Sequence, residues 1–207
     1  IDAALATRLA PWGFDNDQLD GFIARIAQAN VSNAVTGTLT PPAAEDLREF
    51  PAPGSDEHRR LSRLGKDALA ANQVGVVILA GGMATRFGGV VKAVVPVLEA
   101  RTFLRLKLDD VRLAGPEVPV YVMSSFATHE RLLAHVSELG AKKVEVFPQF
   151  VSLRLTPEGA LFKEADGDVS PYATGHGDLT FALRKSGLLA KFRAAGGRML
   201  MMSNVDN

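Results

Sequence analysis

The stretch Gly81-Gly82-Met83-Ala84-Thr85-Arg86-Phe87-Gly88-Gly89-Val90-Val91-Lys92 carries four glycines and two cations. Glycine lets a backbone approach a ligand closely and turn its N–H groups toward an anion. Arg86 and Lys92 add a guanidinium and an ammonium in the same stretch. Together these groups suit a polyphosphate. The bland alternative is a surface loop with chance basic residues. Glycine content alone leaves the two readings level, and the cations and the position directly after an apolar run favour phosphate. Two better-known phosphate motifs are absent. Lys92 does not sit where a Walker loop needs its lysine, and the next strand ends in Met123-Ser124-Ser125, without the acid of a dinucleotide fingerprint.

Three further polar clusters stand out. Phe147-Pro148-Gln149 offers an amide that can both donate to and accept from a nucleobase edge, although a lone glutamine is usually a plain surface residue. Gly175-His176-Gly177-Asp178 opens a helical pattern. Asp178 as an N-cap explains the acid but not the glycines; close backbone approach to a ligand at a helix start explains both. Asn204-Val205-Asp206-Asn207 places a carboxylate that could hold Mg²⁺ against phosphate oxygens, where a single loop aspartate is more often a turn residue.

The elements that must position these clusters are legible in outline. Val74 to Ala80 is short, β-branched and continuously apolar, as in a strand buried on both faces of a parallel sheet. Thr102 to Ala114 has helical periodicity, Val118 to Met123 is a second strand, and Val144 to Phe147 is a third. Thr128 to Leu139 reads as a helix with Leu132, Leu133, Val136 and Leu139 inward and Gly140 as its stop. A hairpin is expected around Pro157-Glu158-Gly159, then a helix from Leu179 to Ala195 broken near Gly187, then a last strand from Arg198 to Ser203. Upstream, Asp17 is expected to cap a helix with Phe22, Ile23 and Ile26 on one face, and Ser55 to cap one running toward Asn72. The connection from Gly81 to Thr102 far exceeds the ~2–6 residues usual between a strand and a helix, which marks it as functional.

This alternation defines an α/β fold with a mostly parallel, Rossmann-like sheet flanked by helices, preceded by an N-terminal helical segment over residues 1–70. In such sheets ligands bind beyond the carboxyl ends of the strands, where all four clusters fall. His58, His129 and His135 are expected at the surface; Met199, Met201 and Met202 fit a buried strand.

Composition narrows the classes further. The chain has 207 residues with 47% hydrophobic and 22% charged, ordinary globular values. Basic and acidic residues number 23 each. A neutral chain has no bulk attraction for nucleic acid or anionic lipid, so neither is an expected partner. With no cysteine, disulfides, zinc-thiolate sites and a cysteine nucleophile are excluded. No apolar run reaches bilayer length and the N-terminus is no signal peptide, so a cytoplasmic protein is expected. The first residue is Ile1 rather than methionine, which hints at part of a longer chain.

From Leu64 to Asn207 these motifs, in this order, resemble the UDP-sugar pyrophosphorylases. Leu79-Ala80-Gly81-Gly82-Met83-Ala84-Thr85-Arg86 with Lys92 is similar to that family's glycine-rich loop. Met123-Ser124-Ser125, Phe147-Pro148-Gln149, Gly175-His176-Gly177-Asp178 and Asn204-Val205-Asp206-Asn207 are similar to its later motifs, and the Gly-His-Gly-Asp form lies closer to the members that use glucose 1-phosphate. The resemblance implies a nucleotidyltransferase fold and the formation of a UDP-sugar and pyrophosphate from UTP and a sugar 1-phosphate, most simply glucose 1-phosphate, with Mg²⁺ as cofactor. It implies catalytic roles for Arg86 and Lys92 on the phosphates. Ala80, Gly81, Gly82, Met123, Gln149, Gly175 and His176 would hold the nucleotide, with Gln149 on the uracil edge. Asn204 would lie near the sugar phosphate and Asp206 would bind the metal. Two departures stand out: Ala84 replaces a usual glycine, and Val91 stands where a proline often precedes the lysine. The family's chain continues past the last motif, so residues 71–207 are expected to be a nucleotide-binding domain cut short at its C-terminal end. The competing readings are the same chemistry on N-acetylglucosamine 1-phosphate, a non-catalytic nucleotide-binding module, and a nicotinamide-dependent oxidoreductase, the last disfavoured by the missing ribose-binding acid.

Overall fold

The computed structural model describes residues 1–28, 34–84 and 88–207. Helices α1 (Ala3–Leu9), α2 (Asn16–Ala27) and α3 (Asp56–Ala70) precede strand β1 (Val74–Leu79). Short strands β2 (Met83–Ala84), β3 (Val90–Val91), β4 (Pro96–Leu98) and β5 (Arg101–Thr102) lead into α4 (Phe103–Ala114), β6 (Val120–Ser124), α5 (His129–Glu138) and β7 (Val144–Pro148). An excursion containing β8 (Val151–Leu153) and β9 (Pro171–Ala173) follows, then α6 (Leu179–Lys185), α7 (Leu188–Ala194) and β10 (Met199–Asn204).

The main sheet is parallel with strand order β10-β1-β6-β7. Its period-two alternation feeds two cores. Val76, Ile78, Val120 and Val122 pack against Leu104 and Leu108 of α4 and Leu132 of α5. Val77, Leu79, Tyr121, Met123 and Phe147 face Leu183 of α6 and Phe192 of α7 on the other side. Burial on both faces is why β1 and β6 carry no polar alternation. A third cluster joins Leu9 of α1 and Leu19 of α2 to Val151 and Leu153 of β8. Among the described residues, no helix is long and apolar enough to cross a membrane.

Several expectations are corrected. The cap of α2 is Asp15, whose side chain accepts the Gln18 N–H at 3.1 Å; Asp17 lies in the first turn, where its charge still favours the helix start. Ser55 caps α3 as expected, accepting from His58 N–H at 3.2 Å. The described residues of the long connection after β1 form two short antiparallel pairs that the sequence reading did not foresee, β2–β3 and β4–β5. The tight turn at Pro157-Glu158-Gly159 is present, with Leu155 bridged to Leu161, but β8 pairs with β9.

His135 is 6% exposed, not at the surface. It shares the i, i+3, i+4, i+7 stripe of Leu132, Val136 and Leu139, and its ring nitrogens meet Thr102 Oγ1 at 2.8 Å and Glu138 Oε2 at 2.9 Å. Leu133, off that stripe, is exposed. His129 is half-buried under the Trp12 ring, with centroids 5.5 Å apart. Met199, Met201 and Met202 are exposed, because β10 is the outer strand and only one of its neighbours covers it.

Candidate functional site

From β1 the chain steps to β6 and then β7 in one direction, with α4 and α5 on one face. It then returns past β1 to β10, with α6 and α7 on the other face. Strand order therefore reverses between β1 and β10, and a crevice opens beyond their carboxyl ends. Gly81 and Gly82 follow β1 into it. Asn204 closes β10 in register with Leu79, and the Val205 N–H donates to the Leu79 carbonyl at 3.1 Å, so Asp206 emerges beside the glycines. The N–H groups of Gly81 and Gly82 have no acceptor among the described residues.

The β2–β3 pair folds the glycine-rich stretch back on itself, aligning Met83 with Val91. Buried Val91 and Ala93 anchor the turn on either side of Lys92, whose N–H donates to the Gly82 carbonyl at 3.4 Å. Lys92 Nζ then reaches Asp206 Oδ2 at 2.9 Å. That hydrogen bond holds the Asp206 carboxyl below its ordinary range, against a smaller opposing effect of burial. Ala84 pairs with Val90 in this short ladder, and a strand position accepts alanine without strain. Arg86 lies outside the described residues.

Gln149 is 4% exposed and its Oε1 has no hydrogen-bond partner among the described residues. Its backbone N–H is held by the Ser124 carbonyl at 2.9 Å, and its Nε2 lies so near Gly81 that a Cβ there would sit 2.3 Å away. Only glycine lets this amide lie flat against the loop. A buried acceptor left open beside a backbone with unengaged donors is an arrangement that a nucleobase edge completes.

Gly175 has φ 105° and ψ −175°, a conformation essentially confined to glycine. The preceding Thr174 ties it to the same strand end through its N–H to the Phe150 carbonyl at 3.4 Å. Asp178 does not cap α6: its carboxylate accepts from the Thr174 hydroxyl, and burial raises its pKa above the ordinary value. His176 is exposed at the start of a short 3-10 turn.

The fold thus gathers Gly81, Gly82, Lys92, Gln149, Asn204 and Asp206 at one rim, with Gly175 bound to it through Thr174. Ala80 and Met123 lie beneath: both side chains are buried in the cores, and the Met123 carbonyl takes the Ala80 N–H at 2.8 Å. The sequence placed Ser125 in the Met123-Ser124-Ser125 motif and Thr128 at a helix start, but assigned neither a role at the site. Ser125 Oγ donates to the Gly81 carbonyl at 2.8 Å, and Thr128 Oγ1 accepts the Ser125 N–H at 2.9 Å. Their position directly after β6 was the available signal. A cavity of about 910 Å³ starts at Gly81, Met83 and Ser125 and runs between α2 and the excursion, where Arg25, Phe126 and Tyr172 line it.

An α/β sheet with an anion-suited glycine turn and a Lys–Asp pair across its switch point has the layout of a nucleotide-binding nucleotidyltransferase fold. A model of the family described as UTP–glucose-1-phosphate uridylyltransferase matches residues 27–207, and the chain belongs to that family. It is 29% identical over 181 residues to UTP–glucose-1-phosphate uridylyltransferase 2 of Dictyostelium discoideum, covering 82% of this chain and 34% of that protein. It is 31% identical to a probable UTP–glucose-1-phosphate uridylyltransferase of Schizosaccharomyces pombe, covering 78% and 34%. The chain spans about a third of the length of these relatives. Among solved structures, a UDP-glucose phosphorylase of Trypanosoma brucei matches with TM-score 0.57 and 27% identity over 68% of this chain and 33% of that one. The uridine diphosphate N-acetylglucosamine pyrophosphorylase of the same organism matches with TM-score 0.66 over all of this chain and 47% of that one; at 19% identity it speaks for the fold.

Proposed function

We propose that this chain carries the nucleotide-binding part of a uridylyltransferase that joins UTP and glucose 1-phosphate into UDP-glucose and pyrophosphate. In this reading residues 71–207 form the nucleotide-binding domain, residues 1–70 an N-terminal helical segment, and the protein resides in the cytoplasm. The observation that carries it is the Lys92–Asp206 pair, closed across the crevice at 2.9 Å beside the two open glycine N–H groups.

The chemistry follows from those groups. A phosphate oxygen of glucose 1-phosphate attacks the α-phosphorus of UTP in line. The bond to the α–β bridging oxygen breaks, and pyrophosphate leaves with the electron pair. No protein nucleophile is needed. Gly81 and Gly82 N–H groups and the Lys92 ammonium neutralise phosphate charge where it builds up, with Arg86 of the same sequence motif. Gln149 presents its open Oε1 to the imide N–H of uracil, and the Gly175 backbone contacts the nucleoside from the neighbouring strand end.

The donor set also fits a magnesium ion. No cluster of three carboxylates or histidines forms among the described residues, and a cation held by one carboxylate plus phosphate oxygens needs none. Asp206 would hold it, with Asn204 alongside; when bound, it supplies Lewis-acid charge to the phosphate oxygens. Similarity to UTP–glucose-1-phosphate uridylyltransferases along most of the chain supports glucose 1-phosphate over its N-acetylglucosamine counterpart.

Calorimetric titration with UTP, then a pyrophosphate-release assay with each sugar phosphate and Mg²⁺, tests the proposal. UTP binding with release specific to glucose 1-phosphate is expected of the chain carrying all its catalytic segments. UTP binding without release from such a chain makes it a binding module, and absence of UTP binding overturns the nucleotide reading altogether.

A further inference from the structure

The Ser125 hydroxyl has one proton and gives it to the Gly81 carbonyl at 2.8 Å. Its oxygen is then left to accept, and Thr128 Oγ1 lies 3.2 Å away, nearer to it than to the Ala80 and Ser125 carbonyls at 3.5 Å, which makes Thr128 the donor of this contact. Thr128 Oγ1 in turn accepts the Ser125 N–H at 2.9 Å. The result is a closed relay, Thr128 hydroxyl to Ser125 hydroxyl to Gly81 carbonyl, in which each bond polarises the next. Both side chains are sealed from solvent, at 2% exposure for Ser125 and 0% for Thr128. One buried hydroxyl, backed by a second, thus holds the Gly81 carbonyl at the entrance of the crevice.

The consequence for Gly82 is stereochemical. In a trans peptide the carbonyl of one residue and the N–H of the next point in opposite directions. With the Gly81 carbonyl pinned toward Ser125, which follows β6, the Gly82 N–H is turned away from β6. That N–H has no acceptor among the described residues. The same glycine offers its own carbonyl to the Lys92 N–H at 3.4 Å, so the turn is held from both ends while its donor stays open. A glycine without such an anchor would rotate its peptide freely, and the donor would lose its aim.

We infer that Ser125, backed by Thr128, is a positioning residue that fixes the Gly81–Gly82 peptide so that the Gly82 N–H meets a phosphate oxygen of the bound nucleotide. The inference rests on the nucleotide reading above and adds to it the group that pre-organises the glycine turn. Ser125 touches no substrate in this account; it acts through a backbone.

The test is calorimetric titration of UTP into the chain and its Ser125→Ala and Thr128→Ser variants, with thermal unfolding and the Gly82 amide ¹⁵N–¹H resonance recorded for each. Ser125→Ala is expected to weaken UTP binding about tenfold, the factor that follows from losing one aligned hydrogen bond to a charged group. It is also expected to move the Gly82 amide resonance in the absence of nucleotide. Thr128→Ser, which keeps the hydroxyl, is expected to retain wild-type affinity. Should Ser125→Ala fail to fold, Ser125→Cys offers the same comparison with a weaker donor at near-native volume. A folded Ser125 variant that binds UTP within twofold of wild type, whatever happens to its melting temperature, overturns this inference alone. A wild-type chain that does not bind UTP overturns the nucleotide reading and this inference with it.

Discussion

Lys92 and Asp206 are 114 positions apart in sequence, and their side chains meet at 2.9 Å. Two short devices bring them together: the β2–β3 pair that returns the glycine-rich turn, and the register of β10 on β1 that delivers Asp206. Each side chain remains about a third exposed, at 35% and 33%. A pair this open contributes roughly 0–1 kcal/mol to stability. Its geometry matters more for the ligand than for the fold.

Removing either partner should therefore separate binding from stability. Lys92→Met is expected to shift the melting temperature by no more than about 4 °C, while UTP binding weakens at least tenfold. Asp206→Asn should act differently: it removes a negative charge facing the phosphates, so UTP binding without Mg²⁺ should tighten and the gain on adding Mg²⁺ should vanish. Calorimetry with and without Mg²⁺ checks both. An Asp206→Asn protein with wild-type dependence on Mg²⁺ would remove the acid from the metal site.

Gln149 and Gly81 form the next testable pair. Gln149→Met removes a buried acceptor that has no partner among the described residues, so stability should hold or rise slightly, since such an acceptor is costly to bury. The preference for UTP over CTP should be lost. Gly81→Ala should lose it too, because its Cβ would fall 2.3 Å from Gln149 Nε2 and displace the amide. Competition titrations with the two nucleotides measure this, and an unchanged ratio in both variants would dismiss the uracil assignment.

Gly175 and Gly177 make an internal comparison of backbone strain. Gly175→Ala forces a side chain into φ 105°, which costs about 1–3 kcal/mol. Gly177→Ala meets nothing within 4 Å and has no positive φ, so it should change stability by less than about 0.5 kcal/mol. Equal denaturation midpoints for the two variants would contradict the assigned conformation.

His129 gives a pH prediction. Burial lowers its pKa below the ordinary 6.5, only partly offset by Glu130. The unfolded chain therefore binds a proton, as pH falls through 6.5, that the folded chain still refuses. Stability from this residue is complete above that value and declines as pH drops toward the folded pKa. Melting curves between pH 7.5 and 5.5 should show a shallower loss in His129→Gln than in wild type (the pH limits are roughly one unit either side of the free value). Parallel slopes would place the titration elsewhere.

The order of the main-sheet strands and the helices between them, the cap at Ser55, and the buried strands Val74–Leu79 and Val120–Ser124 were legible because they depend on local propensity and on apolar runs that need cover on both faces. Three of the four polar clusters were legible because they follow strands of the parallel sheet, whose ends face one way; Gly175-His176-Gly177-Asp178 instead follows β9 of an antiparallel pair. His135 and the methionines of β10 were misjudged from the same information. Helical phase, not residue type, buries the histidine, and the lack of a second neighbouring strand exposes the methionines.

Sequence alone determined which residues could bind an anion or a base, since that is a property of side-chain chemistry and of glycine. Tertiary structure decided which of them meet. Strand order set Asp206 beside the glycine turn rather than at the far edge. Packing pressed Gln149 onto Gly81, and two hydroxyls from the neighbouring strand end fixed the peptide between the glycines. These are relations between segments distant in the chain, set by long-range pairing and close packing, which no local pattern encodes.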